Sequence, residues 1–189
     1  RVAEGLQGRP VVLRTLDIRS AGFDGRKQTA IRELGYGTNA KLHLEFDRRY
    51  WQGKGPWPGN STGESYSDGG YQNTWDAALA QRGRCGVLNN FTGSAGARFQ
   101  PPQAYNTSQS PMVQQYARGF LQKLETVWPG VGKHYTGTAT LSCPARDPNL
   151  LGSYACYLVG QYTGFSGYEQ TRQGRIHFAG EHTSTDFQG

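Results

Sequence analysis

Cysteine, methionine and long apolar runs are scarce in this sequence of 189 residues, which contains three cysteines and one methionine. Cys85, Cys143 and Cys156 form no C-x-x-C pair and have no histidine at ligand spacing, so neither a zinc motif nor a disulfide framework is indicated. We expect buried free thiols. No apolar stretch approaches the roughly 20 residues that a membrane-spanning helix needs. The sequence therefore predicts no metal site and no membrane segment.

Acidic residues are also outnumbered, because 20 Lys and Arg against 14 Asp and Glu give a formal net charge of +6. A basic balance can indicate an anionic partner such as nucleic acid. Here the basic residues are scattered along the chain, as in Arg26–Lys27, Arg48–Arg49 and Arg172, and do not form a stripe. We therefore expect no nucleic-acid partner.

Glycine and aromatic residues are abundant, with 27 glycines and an aromatic share of 12%. With a hydrophobic share of 35%, this composition is typical of a loop-rich globular protein and not of a helical bundle or a disordered chain. The chain begins without an initiator methionine and runs directly into a strand predicted at Val11–Leu13. We interpret it as an excerpt of a longer polypeptide.

The stretch GYGTNA, residues 35–40, matches Gly-x-Gly-x-x-Ala, one form of the loop that binds a dinucleotide pyrophosphate. That loop needs a strand before it and a helix after it, because the helix N-terminus holds the phosphates. Here the preceding segment Asp24–Leu34 predicts a short helix, with Asp24 as its N-cap and Gly35 as its C-cap. The motif is therefore spurious.

A strand is predicted directly after these glycines. Leu42, Leu44 and Phe46 alternate with polar residues, which is the period of two expected of a half-buried strand. Lys41 lies at the start of this strand on its polar side. From the pattern alone, Lys41 would be a solvated residue of a strand edge.

The other periodic segments predict three strands and one long helix. The helix starts at Pro111 and ends before Pro129–Gly130, and it carries apolar residues along one face. These apolar residues are Met112, Val113, Tyr116, Phe120, Leu124 and Val127. The strands are predicted at Gly86–Thr92, 136–142 and Arg175–Ala179, and residues 152–162 predict an aromatic-rich strand or turn.

Residues 48–75 are rich in glycine, proline and aromatic side chains and predict turns and short strands. Rings such as Trp51, Trp57 and Trp75 would suit a non-catalytic module that binds carbohydrate or another protein. Such rings more often pack a twisted sheet, and we favour packing.

Gly180 and Glu181 follow the last predicted strand. A ligand at the carboxyl end of a sheet strand would meet this turn, where glycine permits close approach of the backbone and an acid can accept hydrogen bonds from ribose-type hydroxyls. A capped turn without a ligand has the same pattern, so the signal is weak by itself.

Four segments taken together are more specific. In order and spacing, LGYGTNAKLHLEFDRRYW, VWPGV, LGSYACYLVGQYT and GRIHFAGEHTSTDFQG resemble the C-terminal part of the flavin monoamine oxidase family, which includes polyamine and L-amino acid oxidases. The resemblance extends from about Val11 to Gly189. It implies an enzyme that uses FAD to oxidise an amine or amino acid to an imine, with oxygen reduced to hydrogen peroxide.

The resemblance also implies site residues. Lys41 matches a lysine that holds a water at flavin N5, and Tyr154 matches one of two rings that face each other before the flavin and steer the amine. Ser153 stands where mitochondrial members have a cysteine bonded to the flavin, so FAD is expected to be non-covalent. Gly180 and Glu181 match the turn beside the ribityl and pyrophosphate portion of FAD.

Three features depart from the family pattern. A tryptophan that packs near the lysine is replaced here by Cys143-Pro144. The second ring and the N-terminal Gly-x-Gly-x-x-Gly unit fall outside the sequence, so the isolated 189 residues are expected to be inactive.

The implied fold class is α/β, with parts of a Rossmann-like FAD-binding domain interleaved with a substrate domain of mixed sheet and flanking helices. Residues 1–30 and 147–189 would belong to the FAD-binding domain and residues 31–146 to the substrate domain. The implied partners are the substrate, oxygen and the rest of the parent polypeptide. The identity of the amine and the cellular compartment stay open.

Overall fold

A computed structural model of the chain describes residues 5–7, 10–53, 61–93 and 99–187. The chain forms two compact units, which are described separately below. The discontinuous unit consists of Arg1–Thr38 and Pro144–Gly189, and the sheet unit consists of Asn39–Cys143. Within the described ranges, no helix is long and apolar enough to cross a membrane, and no group of acidic, histidine and cysteine side chains is suited to hold a metal ion.

The sheet unit is built on a six-stranded sheet. Its strands, in the order in which they lie side by side, are β3 (Ser65–Tyr66), β4 (Asn73–Asp76), β5 (Gly86–Thr92), β2 (Ala40–Phe46), β7 (Tyr135–Ser142) and β6 (Tyr105–Thr107). The α/β class is confirmed. The sheet itself, which we predicted to be mixed, is antiparallel at each of the pairings described.

Strand β2 has the alternation that the sequence predicts. Leu42, Leu44 and Phe46 are fully buried, whereas Lys41 on the opposite face is exposed. The apolar face of the sheet packs in one core with helix α3 (Pro111–Leu124). This packing leaves the face that carries Lys41 on the other side of the sheet from α3.

Helix α3 confirms the predicted start. Pro111 occupies the first turn, where a missing backbone N–H costs nothing, and Ser110 precedes it in extended conformation. The helix ends at Leu124, so Val127 lies beyond it and packs against the core from the following turn. The buried residues of the helix are Val113, Ala117, Phe120 and Leu124.

The aromatic stretch before β4 is largely packing, as favoured above. Trp51 is fully buried, its ring packs edge-on against Phe46 at 5.2 Å between centroids, and its Nε1 donates to Asp76 at 3.3 Å. Tyr71 is also buried in the core. Trp57 lies outside the described residues.

The discontinuous unit contains a parallel pair of strands, β1 (Gly5–Gln7) and β8 (His177–Ala179). The strand predicted at Val11–Leu13 is wrong, because residues Pro10–Leu13 form the short helix α1. Pro10 at the helix start explains the difference, since proline lacks an N–H for a sheet ladder and has the φ angle of a first helical residue.

Helix α2 (Gly25–Glu33) has the predicted N-cap, because the side chain of Asp24 accepts a hydrogen bond from the backbone N–H of Lys27 at 2.8 Å. The predicted glycine C-cap is wrong. The cap residue is Leu34, with φ −48° and ψ 123°, and Gly35 is not among the glycines with positive φ. A helix α4 (Gln161–Phe165) lies in the segment 152–162 and beyond, which we predicted to be strand or turn.

The three cysteines are free thiols. Cys143 is buried and Cys156 is half-buried, but Cys85 is exposed, so the expectation of burial is wrong for Cys85.

Candidate active site

The segment that carries Ser153 and Tyr154 is paired with the glycine-rich turn after α2. The backbone N–H of Gly37 donates to the carbonyl of Tyr154, and the N–H of Ser153 donates to the carbonyl of Gly37, each at 2.8 Å. The N–H of Cys156 donates to the carbonyl of Gly35 at 3.0 Å. The turn therefore holds the backbone of Tyr154 by antiparallel hydrogen bonds.

Both segments of this pairing need glycine, because neighbouring atoms lie too close to leave room for a Cβ atom. A Cβ atom built on Gly35 would lie 2.3 Å from the carbonyl oxygen of Cys156. A Cβ atom on Gly152 would lie 2.1 Å from the ring of Tyr36. The Gly-x-Gly sequence at residues 35–37 is thus explained by its close contact with residues 152–156 of the same unit.

Glu181 joins the last predicted motif to the Tyr154 segment. Its Oε1 accepts a hydrogen bond from the backbone N–H of Ala155 at 2.6 Å, between residues 26 positions apart. Because a carboxylate is a strong acceptor for a backbone N–H, this bond fixes the residue that follows Tyr154. Two segments that the sequence shows only as separate motifs are therefore in direct contact.

Gly180 sits at the carboxyl end of β8 and has φ 144° and ψ 169°. This positive φ favours glycine. The carbonyl of Gly180 accepts from both the backbone N–H and the hydroxyl of Thr183, which closes the short turn Glu181–Thr183. Gly180 itself is exposed, so its backbone is accessible to a ligand at the end of the parallel strand pair.

A buried polar cluster lies on the other side of this turn. His182 is 4% exposed and lines a small cavity with Lys27 and Glu169. Within the described part of the chain, Nε2 of His182 and Oε1 of Glu169 have no hydrogen-bond partner. The cluster was not identified from the sequence.

Lys27 is held in this cluster as a buried cation. Its Nζ donates to the carbonyls of Tyr168 at 2.7 Å and Glu169 at 2.8 Å, and it lies 3.9 Å from the ring centroid of Phe178. Burial lowers the pKa of Lys27 to about 8, and the charges of Glu169 and Asp24 oppose this shift.

The same environment keeps the imidazole neutral. Burial, together with the positive charge of Lys27, lowers the pKa of His182 to about 4. One sequence signal could have located the cluster: Lys27 precedes Ala30, Ile31 and Leu34 at the i+3, i+4 and i+7 spacing of a buried helix face.

Lys41 is an exposed residue on the face of the sheet opposite α3. It pairs with Phe91 on β5 and with Ser142 on β7. Its Nζ lies 5.8 Å from the ring centroid of Trp75 and 5.9 Å from that of Phe91. Among the residues that the structure describes, no carboxylate lies within ion-pair distance of Lys41.

His43 is the next residue of β2 on this face. It pairs with Asn89 and Thr140, and burial, followed by the charge of Lys41, lowers its pKa. At neutral pH the face therefore carries a cation beside a neutral imidazole and two rings.

The structure thus brings four of the five predicted site residues together. Ser153, Tyr154, Gly180 and Glu181 lie around the Glu181–Ala155 hydrogen bond in the discontinuous unit. Lys41 belongs to the sheet unit. The proximity of Trp75 and Phe91 to Lys41 was not predicted, because we interpreted Trp75 as packing.

The chain is similar to known proteins in sequence and in fold. The family model for flavin containing amine oxidoreductases matches residues 10–189. No curated protein sequence matches the chain. Among solved structures, cyclohexylamine oxidase from Brevibacterium oxydans IH-35A is similar with a TM-score of 0.74 and 13% identity, over 96% of this chain and 37% of that one.

Putrescine oxidase is also similar. A triple mutant redesigned in cofactor binding has a TM-score of 0.72, and the wild type bound to putrescine has a TM-score of 0.69, both at 15% identity over 96% of this chain and 37% of the other. At such identities the likeness shows the fold, and the chain spans little more than a third of these relatives. Since the family model covers nearly the whole sequence, the chain belongs to the flavin-containing amine oxidoreductases, whose cofactor is FAD.

Proposed function

We propose that this chain supplies part of the active site of a FAD-dependent oxidase that acts on the CH–NH₂ group of an amine or amino acid. Gly180, Glu181 and Ser153 would hold FAD, and the bound cofactor would supply a hydride acceptor for the α-carbon of the substrate and an electron donor for oxygen, so that the products would be an imine, hydrolysed by water, and hydrogen peroxide. The observation that carries the proposal is the hydrogen bond between Glu181 and Ala155, because it joins the cofactor turn to the Tyr154 segment.

The residues at the end of β8 fit the ribityl and pyrophosphate portion of FAD. Gly180 is exposed, carries no Cβ and has a positive φ, so a ligand can approach its backbone closely. It ends a strand of a parallel pair, which is where α/β proteins bind nucleotides. Ser153 has no thiol to attach a flavin, which supports non-covalent binding.

Tyr154 would orient the substrate in this proposal. The backbone of Tyr154 is hydrogen-bonded to Gly37, and the next residue is hydrogen-bonded to Glu181. These bonds fix the backbone position from which the Tyr154 ring extends. An aromatic wall attracts an amine through the ring quadrupole and excludes water from the reacting carbon.

Lys41 would hold a water beside the flavin. Its ammonium carries three N–H donors. Because no carboxylate of the described residues pairs with it, these donors are available to a water and to a group that accepts from that water.

The assignment of domains belongs to the same proposal. We assign residues 1–30 and 147–189 to FAD binding and residues 31–146 to substrate binding. The two compact units divide the chain after Thr38 and after Cys143. The first predicted boundary, between residues 30 and 31, differs from this division and falls inside α2. The proposed partners are the substrate, oxygen and the remainder of a longer polypeptide, and no nucleic acid takes part.

The test is to purify the full-length polypeptide and record its visible spectrum and peroxide release with a panel of monoamines, diamines and amino acids. We expect flavin absorbance and peroxide from at least one substrate. A product with no flavin absorbance and no peroxide release would overturn the proposal. The isolated 189 residues, titrated with FAD, should give no tight quenching of flavin fluorescence, because they lack the Gly-x-Gly-x-x-Gly unit that holds the pyrophosphate.

A non-catalytic module that binds carbohydrate or protein through its rings is the alternative. Trp51 and Tyr71, two of the rings in this stretch, are buried in the core and are therefore not available for this role. Glycan binding by a flavin-free full-length product would favour the alternative.

A further inference from the structure

Two aromatic side chains flank the ammonium of Lys41. Trp75 on β4 and Phe91 on β5 lie with their ring centroids 5.5 Å apart, tilted by 50°. Nζ of Lys41 lies within 6 Å of both centroids, at 5.8 Å and 5.9 Å. Both rings are half-buried, whereas the Lys41 side chain is exposed. The rings are therefore held by more packing contacts than the lysine is.

The strand register makes this arrangement a property of the sheet. Phe91 is directly opposite Lys41, and Trp75 is opposite Asn89, one pleat farther along the same face. Directly opposite residues on one face lie about 5 Å apart, so Phe91 is the immediate neighbour of Lys41. Trp75 is a diagonal neighbour of Phe91, and its ring reaches the Lys41 side chain from two strands away.

Among the described residues, Lys41 makes no ring contact on its other side. Its partner on β7 is Ser142, and the adjacent Cys143 is buried in the core. Cys143-Pro144 is the position at which the sequence departs from the resemblance by lacking a tryptophan. In this chain the aromatic contacts of Lys41 are therefore Trp75 on β4 and Phe91 on β5.

We propose that Trp75 and Phe91 are positioning residues that hold the ammonium of Lys41 at the exposed face of the sheet. A ring attracts a cation without accepting its N–H donors as a carboxylate would. The clamp therefore restricts the lysine and leaves its donors for a water. The catalytic consequence rests on the proposed function, but the clamp itself does not.

The first experiment tests the clamp without flavin. In the ¹³C-labelled full-length polypeptide freed of flavin, the ε-methylene signal of Lys41 is identified by its loss in Lys41→Met. Ring currents should place this signal upfield of that of the exposed Lys133. Trp75→Leu should remove most of the upfield shift, and Trp75→Phe should retain part of it.

Tyr105→Leu is the matched control. Tyr105 lies on the same face and in the same row, opposite Ser142, but on the far side from the two rings, and it is 59% exposed. It should leave the Lys41 signal unchanged. A Lys41 signal that coincides with Lys133, or that ignores Trp75→Leu, would overturn the clamp. If Trp75→Leu fails to fold, Phe91→Leu gives the same test.

The second experiment measures flavin reoxidation in the flavin-loaded full-length polypeptide as a double-mutant cycle. Trp75→Leu should slow reoxidation when Lys41 is present and should cause no further slowing in the Lys41→Met background. Equal slowing in both backgrounds would show that Trp75 does not act through Lys41. Absence of flavin from the polypeptide would overturn the proposed function, while the ring-current test would still decide the clamp.

Discussion

Glu181 accepts a hydrogen bond from the backbone N–H of Ala155, 2.6 Å away, and so ties the turn after β8 to the residue that follows Tyr154. The Tyr154 backbone is bonded on its other side to Gly37. A single carboxylate thus couples the turn that fits FAD to the ring proposed to orient the amine.

Removing this carboxylate should loosen the Tyr154 segment. Glu181→Ala leaves the N–H of Ala155 without its acceptor, which should lower the free energy of opening that amide by about 1.5–3 kcal/mol. Hydrogen exchange of the Ala155 amide measures this change. Glu181→Gln keeps a side-chain oxygen at the same position and should preserve most of the protection. Unchanged exchange in Glu181→Ala would show that the bond does not hold the segment.

Gly35 should not tolerate a side chain. In Gly35→Ala the new Cβ would lie 2.3 Å from the carbonyl oxygen of Cys156, so the paired segments must separate, at a cost of about 1–3 kcal/mol in the free energy of unfolding. Gly119 in α3 is the control, since a Cβ there meets nothing within 4 Å. Gly119→Ala should stabilise the protein by about 0.5–1 kcal/mol. Denaturant unfolding of the two variants should therefore shift in opposite directions.

Stability should rise with pH between about 4 and 6.5 through His182. Burial lowers the pKa of His182 to about 4 from its model-compound value of 6.5, so in this window the unfolded chain binds a proton that the folded chain does not. Protonating the unfolded chain favours unfolding, and stability is lost as the pH falls. Unfolding free energies measured from pH 4 to pH 7 should show this rise.

The variant His182→Gln should flatten that part of the pH profile. His177→Gln is the matched control, because His177 lies on the neighbouring strand β8 and is exposed. It should leave the profile as in the wild type. A steep rise that persists in His182→Gln would assign it to another group.

Lys41→Met in the full-length polypeptide should slow a flavin half-reaction, and we expect reoxidation by oxygen to be the step affected. Methionine keeps a similar length but cannot bond a water, so the rate should fall at least about tenfold. Because Lys41 is exposed, the free energy of unfolding should change by no more than about 0.5 kcal/mol. Rapid-mixing kinetics compared with Lys133→Met, another exposed lysine, would decide it. Both half-reactions unchanged in Lys41→Met would remove Lys41 from the site.

The sequence by itself determined the elements whose pattern is local. The alternation in β2, the strand β5 at Gly86–Thr92, the proline start of α3 and the Asp24 cap are all as predicted. Each depends on side chains within one element, so neighbouring residues suffice to specify it. The four family motifs likewise identified the flavin-containing amine oxidoreductase family and its cofactor FAD, because their order and spacing are properties of the chain.

Only the tertiary structure decided the contacts between distant segments. The N-terminal segment predicted as a strand is α1, and Gly35 is explained by the carbonyl of Cys156, which is 121 positions away in the sequence, and not by a helix cap. The burial of Lys27 depends on carbonyls at Tyr168 and Glu169, and the surroundings of Lys41 depend on the register of three strands. These groups come within bonding distance only when segments that are distant in the sequence pair with each other. The local sequence pattern does not specify that pairing.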